Sequence, residues 1–182
     1  VKDTSLVAHF KVVHNEHSDF LYQSTDTEVY FLAWTTTPWT LPSNTALGVG
    51  KKIQYVSVRT FNQYTGHPIT VILAKELLHK YFPEKHAELN LEDYQEGDKK
   101  IPYKVIDEFD GSRLEGLRYE QLMPYHQPET GDAFKVVTGD FVTTEEGTGI
   151  VHLAPSFGAD DFKVGQQYGI GALTLVDKKG KF

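Results

Sequence analysis

Two stretches of the 182-residue chain hold side chains that could do chemistry. The first is Trp34-Thr35-Thr36-Thr37-Pro38-Trp39-Thr40-Leu41-Pro42-Ser43-Asn44. Proline disfavours helical backbone in the residue before it, so Thr37 and Leu41 are pushed towards extended geometry. Pro38 and Pro42 also lack an amide donor. The result is a stiff segment with hydroxyls held in fixed directions. Extended backbone puts Thr35 and Thr37 on one side and Thr36 on the other. A hydroxyl both donates and accepts, so such a row can hold a water or a polarised carbonyl. A plain strand exit whose threonines satisfy backbone groups is the simpler account. Trp34 and Trp39 favour a binding pocket, because small-molecule sites combine apolar walls with a few placed polar groups.

The second stretch runs Glu145-Glu146-Gly147-Thr148-Gly149-Ile150-Val151-His152-Leu153-Ala154-Pro155-Ser156-Phe157-Gly158-Ala159-Asp160-Asp161. It reads as a glycine turn, a short strand, a loop and an acidic helix start. One imidazole and two carboxylates meet near one strand end. His152 could serve as a base, a hydrogen-bond donor or a steric wall, although a satisfied core histidine is the commoner case on spacing alone. Asp160 suits an ordinary helix cap. Asp161 could receive a substrate ammonium.

Several chemistries fit poorly. His152 with Asp160 and Asp161 would make a weak metal site, and no HExxH-like spacing occurs among the other histidines. Ser156 lacks the G-x-S-x-G elbow of a serine hydrolase. An acid pair such as Glu145 or Glu146 with Asp161 remains open for glycoside chemistry. No Walker A or GxGxxG pattern is present. There are no cysteines, so thiolate nucleophiles, disulfides and iron–sulfur clusters are excluded. What is left is a polar, aromatic-walled pocket without metal or cofactor.

Strands must position these groups. Leu6–Val13 alternates, with Leu6, Ala8, Phe10 and Val12 on one side. Val29–Trp34 is a continuous apolar run that feeds directly into the threonine segment. Tyr55–Arg59, with Val56 and Val58 on one face, and Ile69–Ala74 flank a turn at Thr65-Gly66-His67-Pro68. Further strands are expected at Tyr103–Ile106, Phe134–Thr138, Gly149–Ala154 and Ala172–Val176. Helices are fewer: Lys75–Phe82, stopped by Pro83, and Asp160–Tyr168, closed by Gly169. Glu84–Lys100 is charged and weakly patterned, a surface excursion. Many short strands with few short helices predict an α+β, β-barrel-rich domain.

Hydrophobic residues make up 40% of the chain, enough for one domain to bury its own core over residues 1–182. No apolar run has the length to cross a bilayer, so no membrane partner is expected. The net charge of −7 argues against a protein that coats long nucleic acid and leaves only short, local contact. The ends, Val1-Lys2-Asp3-Thr4 and Lys178-Lys179-Gly180-Lys181-Phe182, suggest a piece of a longer protein.

At the two stretches the sequence resembles the editing domain, or connective peptide 1, of the isoleucyl-tRNA synthetase family. The first matches the isoleucyl form from Trp34 to Asn44, with Thr37 where valyl and leucyl relatives usually carry arginine. The second matches at Gly147-Thr148-Gly149-Ile150-Val151-His152-Leu153-Ala154-Pro155 and continues through Gly158-Ala159-Asp160-Asp161-Phe162 to Gly165-Gln166-Gln167-Tyr168-Gly169. The match is thin between Asn62 and Leu122.

The resemblance implies the barrel-rich fold of valyl, isoleucyl and leucyl editing domains and a cytoplasmic place in protein biosynthesis. It implies hydrolysis of valine from mischarged tRNA(Ile), and of valyl-adenylate, within an isoleucine–tRNA ligase. Its partners would be the 3′ CCA end of tRNA(Ile) carrying valine and the remainder of the synthetase. The editing domain would need no cofactor, ATP and Mg²⁺ being used by the parent enzyme. One methylene is worth only about 1–3 kcal/mol in an apolar pocket, and isoleucine against valine in this enzyme family is itself the standard illustration of that limit. A second pocket that admits valine and excludes isoleucine supplies the rest.

The resemblance also implies roles. Asp161 would bind the α-ammonium. His152 would line the side-chain pocket and bar the extra methyl of isoleucine, beside Thr40, Trp39 and Trp34. Thr35, Thr36 and Thr37 would orient water, the ester carbonyl or the terminal ribose, and Asn44 would support the peptide or the ribose. An aminoacyl ester is already reactive, so positioning and oxyanion stabilisation can suffice. Two other readings are a non-hydrolytic module that binds the tRNA end, and a valyl-type domain that clears threonine. Thr37 in place of arginine argues against the latter.

Overall fold

The computed structural model describes residues 6–23, 25, 27–35, 41, 44, 46–62, 65–120, 134–139, 142–144 and 147–153. Within them eight strands form one mixed sheet: β1 (Leu6–Lys11), β2 (Val29–Thr35), β3 (Ala46–Val49), β4 (Gln54–Phe61), β5 (Pro68–Ala74), β6 (Lys104–Asp110), β7 (Lys135–Thr138) and β8 (Ile150–Leu153). Two one-turn helices, α1 (Asp19–Tyr22) and α2 (Leu78–Tyr81), and several 3-10 turns fill the connections.

The strand order is β6-β4-β5-β2-β8-β3-β7, with β1 paired to β2. β1 covers one edge of β2 along its whole length, from Lys11 opposite Tyr30 to Leu6 opposite Thr35. The other edge is therefore shared. β5 runs parallel to it at Val29–Phe31, and β8 runs parallel to it at Trp34. The sheet thus forks along β2, and the fork opens beside Trp34 and Thr35.

One branch curls back. Val12 and Tyr119 form an antiparallel bridge, and Arg118 and Lys135 form another. Tyr119 N–H donates to Phe134 O, and Val136 N–H donates to Leu117 O. Hydrogen bonding therefore passes from β1 through residues 118–120 to β7, then through β3 and β8 back to β2. Rolling a sheet in this way pairs edges that would otherwise stay open.

Alternation along the strands fills the interior. Ala8, Phe10 and Val12, Phe31 and Ala33, Leu47 and Val49, and Ile150 all belong to one buried cluster. Val56 and Val58 share the opposite face with Val71 and Leu73, in a second cluster. The expected face of β1 holds except at Leu6, which is 42% exposed. It lies at the first position of the strand, beyond the packed interior.

Most expected elements are present with altered bounds. β6 is longer than Tyr103–Ile106 because it pairs with β4 across a register shift at Ser57/Val58. The Lys75–Phe82 stretch is a 3-10 turn followed by α2. Gly66 makes the predicted turn at φ +73. The 84–100 excursion is largely exposed and holds two 3-10 turns, Glu84–Glu88 and Leu91–Asp93. β3 was not anticipated: Ala46-Leu47-Gly48-Val49 is too short and too glycine-broken to read as a strand, yet all four residues are buried between β7 and β8. The strand expected at Ala172–Val176 and the helix at Asp160–Tyr168 lie outside the described residues.

Candidate functional site

β2 and β8 bring the two chemical stretches together. Trp34 stands opposite Val151 in a parallel pair. The next residue on each strand is Thr35 and His152. Side chains alternate, so Thr35 shares the inward face with Phe31 and Ala33, and His152 shares it with Ile150. Neighbouring strands run about 4.8 Å apart, so the hydroxyl and the imidazole start from adjacent positions on one face. Both are buried, with exposures of 6% each.

The glycine turn before β8 sets this register. Its three successive carbonyls each accept a hydrogen bond: Gly147 O from the Tyr81 hydroxyl at 3.2 Å, Thr148 O from Ala74 N–H at 2.8 Å, and Gly149 O from the Tyr55 hydroxyl at 2.6 Å. The Thr148 hydroxyl, fully buried, donates to Leu32 O of β2 at 2.5 Å. Gly147 has φ +77, and a Cβ there would lie 2.8 Å from Trp34 Cε3. The indole therefore packs directly on the glycine backbone, which fixes the half-buried Trp34 at the sheet fork.

Asn44 sits at the other end of the first stretch and is 3% exposed. Its Nδ2 donates to Ala46 O at 2.9 Å and lies 2.7 Å from His152 Nδ1. Its Oδ1 accepts from the Tyr119 hydroxyl at 2.5 Å. Tyr119 is packed edge-on against Phe10, 5.3 Å between ring centres, and against Phe134 at 6.1 Å. Burial holds its hydroxyl well above the usual tyrosine range, offset in part by the bond to Asn44. Burial raises Tyr55 likewise.

Of the expected site residues, the structure joins Thr35, Asn44 and His152 on one face of the sheet, and the Trp34 side chain alternates to the other face, that of Leu32. Thr36, Thr37, Trp39, Thr40 and Asp161 lie outside the described residues. Tyr119 and Tyr55 were missed. Tyr55 was read only as part of a strand and Tyr119 stands in no pattern; the hydroxyl partners of both, Gly50 and Gly149 for one and Asn44 for the other, are set by the tertiary structure. Among the described residues no three histidines or carboxylates gather to hold a metal ion. No helix among them is long and apolar enough to cross a membrane. A groove of about 480 Å³ lined by Val7, Leu32, Tyr81 and Phe82 among others belongs to the second cluster's side of the sheet rather than to the Thr35–His152 pair.

This arrangement offers hydroxyl, amide and imidazole groups on one inner face, with the indole of Trp34 behind them on the other side of β2. Such a set can orient a polar substrate and a water.

No protein-family model matches the chain. Its sequence is 59% identical over 181 residues to isoleucine–tRNA ligase of Bacteroides fragilis, covering 100% of this chain and 15% of that protein. It is 55% identical over 193 residues to isoleucine–tRNA ligase of Cytophaga hutchinsonii and 41% identical over 182 residues to that of Clostridium tetani. The chain thus spans 14–17% of the length of these relatives. In fold it is similar to the cytosolic leucyl-tRNA synthetase editing domain of P. knowlesi, with a TM-score of 0.64 and 14% identity over 87% of this chain and 60% of that one. It is also similar to GlLeuRS-CP1, with a TM-score of 0.63 and 17% identity over 91% of this chain and 62% of that one. Along its whole length the chain is similar in sequence to a segment of isoleucine–tRNA ligases, and it has the fold seen in leucyl-tRNA synthetase editing domains.

Proposed function

We propose that the chain hydrolyses valine from mischarged tRNA(Ile), as the proofreading site of an isoleucine–tRNA ligase. The observation that carries the reading is the Trp34–Val151 register, which supports one cavity built from the threonine stretch and the His152 stretch. Similarity to isoleucine–tRNA ligases along the full chain supports the choice of tRNA(Ile) over its valyl and leucyl counterparts.

In this reading water attacks the ester carbonyl carbon, the bond to the terminal ribose oxygen breaks, and that oxygen leaves with a proton. Thr35, Thr36 and Thr37 orient the water and the carbonyl. Asp161 pairs with the α-ammonium, and such a charge-assisted contact in a sheltered site fixes the amino acid end. His152, with Trp39 and Thr40, forms the wall that admits valine and stops isoleucine, while Trp34, on the opposite face of β2, holds the register behind it. Asn44 supports His152. The domain uses no metal or cofactor for this step. The chain's acidity fits contact limited to the single-stranded CCA end, with the remainder of the synthetase holding the tRNA body.

The test compares deacylation of valyl-tRNA(Ile) and isoleucyl-tRNA(Ile) by the parent ligase, in wild-type form and as Asp161→Ala. Valine release that vanishes in the variant, with isoleucine retained by the wild type, is the expected result. Equal release of both amino acids by the wild type overturns the reading.

A further inference from the structure

We infer that Tyr119 is a positioning residue for the proposed editing reaction: acting through Asn44, it holds neutral His152 as the tautomer protonated on Nε2. The inference rests on the editing reading for its consequence, but its structural part stands on three hydrogen bonds.

The Asn44 amide could be placed either way round, and its neighbours settle the choice. Ala46 O can only accept, and it lies 2.9 Å from Nδ2. The nitrogen therefore belongs on that side and the oxygen faces Tyr119. The Tyr119 hydroxyl donates to that oxygen at 2.5 Å. The amide has two N–H donors; one goes to Ala46 O and the other reaches His152 Nδ1 at 2.7 Å. Nδ1 must accept. A neutral imidazole that accepts at one nitrogen carries its proton on the other.

The consequence is chemical. In this state Nε2 is a donor, so it cannot take a proton from an attacking water. Nδ1 is already occupied. Of the roles open to His152 from sequence, the general base is removed, and a directional donor on a steric wall is left. Tyr119 makes this reliable because it is itself fixed. It is 3% exposed, bridged to Val12 through the backbone and packed against two phenylalanines. A buried tyrosine hydroxyl needs a partner, and Asn44 is that partner. Turning the amide over would set its oxygen against Ala46 O, two acceptors face to face, and would take from the Tyr119 hydroxyl the oxygen to which it donates.

The experiment reads the proton directly. The 182-residue chain, ¹⁵N-labelled at histidine, is examined by two-bond ¹H–¹⁵N correlation, which separates protonated from bare ring nitrogens. Wild type should show His152 protonated on Nε2. Tyr119→Phe should yield a mixture of tautomers. Asn44→Asp, whose carboxylate can only accept, should move the proton to Nδ1. Phe134→Leu, which disturbs packing beside Tyr119 but keeps the hydroxyl, should leave the Nε2 form intact and guards against a merely structural effect. In the parent ligase Tyr119→Phe should lower kcat for valyl-tRNA(Ile) about tenfold with little change in KM. Should Tyr119→Phe fail to fold, wild type and Asn44→Asp still decide the tautomer. A wild-type proton on Nδ1, or an unchanged tautomer in both Tyr119→Phe and Asn44→Asp, overturns the inference. So does a normal kcat in Tyr119→Phe. A wild-type ligase that never releases valine would defeat the editing reading instead, while the spectra would still stand as the test of the hydrogen-bond chain.

Discussion

Trp34 and Val151 face each other across a parallel pair, and this single register places Thr35 beside His152 on the inner face of the sheet. Shifting either strand by one residue would turn one of the two side chains to the opposite face, because side chains alternate with a period of two. The devices that prevent the slip are local: the Thr148 hydroxyl bonded to Leu32 O, and the indole of Trp34 seated on Gly147.

Gly147→Ala tests that seat. Alanine would be strained at φ +77, and its Cβ would press on the indole at 2.8 Å. The backbone penalty alone is about 1 kcal/mol. The expected outcome is a loss of about 1–3 kcal/mol in urea unfolding, with an altered tryptophan fluorescence spectrum. An unchanged midpoint and spectrum would show that Trp34 does not depend on the glycine.

His152→Ala should open the side-chain pocket. Since one methylene is worth about 10–200-fold in an apolar site, hydrolysis of isoleucyl-tRNA(Ile) by the parent ligase should rise by at least about tenfold. Continued survival of isoleucyl-tRNA(Ile) would remove His152 from the wall.

Asp161→Ala should depress valyl-tRNA(Ile) hydrolysis by about two orders of magnitude, the scale of a sheltered charge-assisted bond. Retained hydrolysis would assign the ammonium to another group.

Tyr55 and Tyr119 give the fold an alkaline limit. Burial raises both hydroxyls above the ordinary value of 10.0. Below pH 10 the folded and unfolded chains bind the same protons, and the full stability is present. As pH climbs past 10 the unfolded chain ionises first, binds fewer protons, and is favoured by about 1.4 kcal/mol per pH unit for each such tyrosine. Urea midpoints measured from pH 8 to 11 should therefore fall above pH 10. Tyr55→Phe should make that fall shallower. At neutral pH the same change should cost about 1–3 kcal/mol, because Gly50 N–H and Gly149 O lose their shared hydroxyl. An identical slope in the variant would mean that Tyr55 ionises freely.

The sequence by itself determined the strands with strong side-chain signals. β2, β4 and β5 are rich in β-branched, aromatic and other apolar residues, and that composition is a local property that needs no partner. It also determined which two stretches held chemistry, since threonines beside prolines and a histidine after a glycine turn are legible residue by residue. Tertiary structure decided the rest. β3 is four residues long, and it is a strand only because β7 and β8 lie on either side of it. Tyr119 has no local pattern. Its role arises where Val12 bridges to it and its hydroxyl meets Asn44, 75 positions away in sequence. Hydrogen bonds across a rolled sheet join residues distant along the chain, and no periodicity within either partner can encode such a meeting.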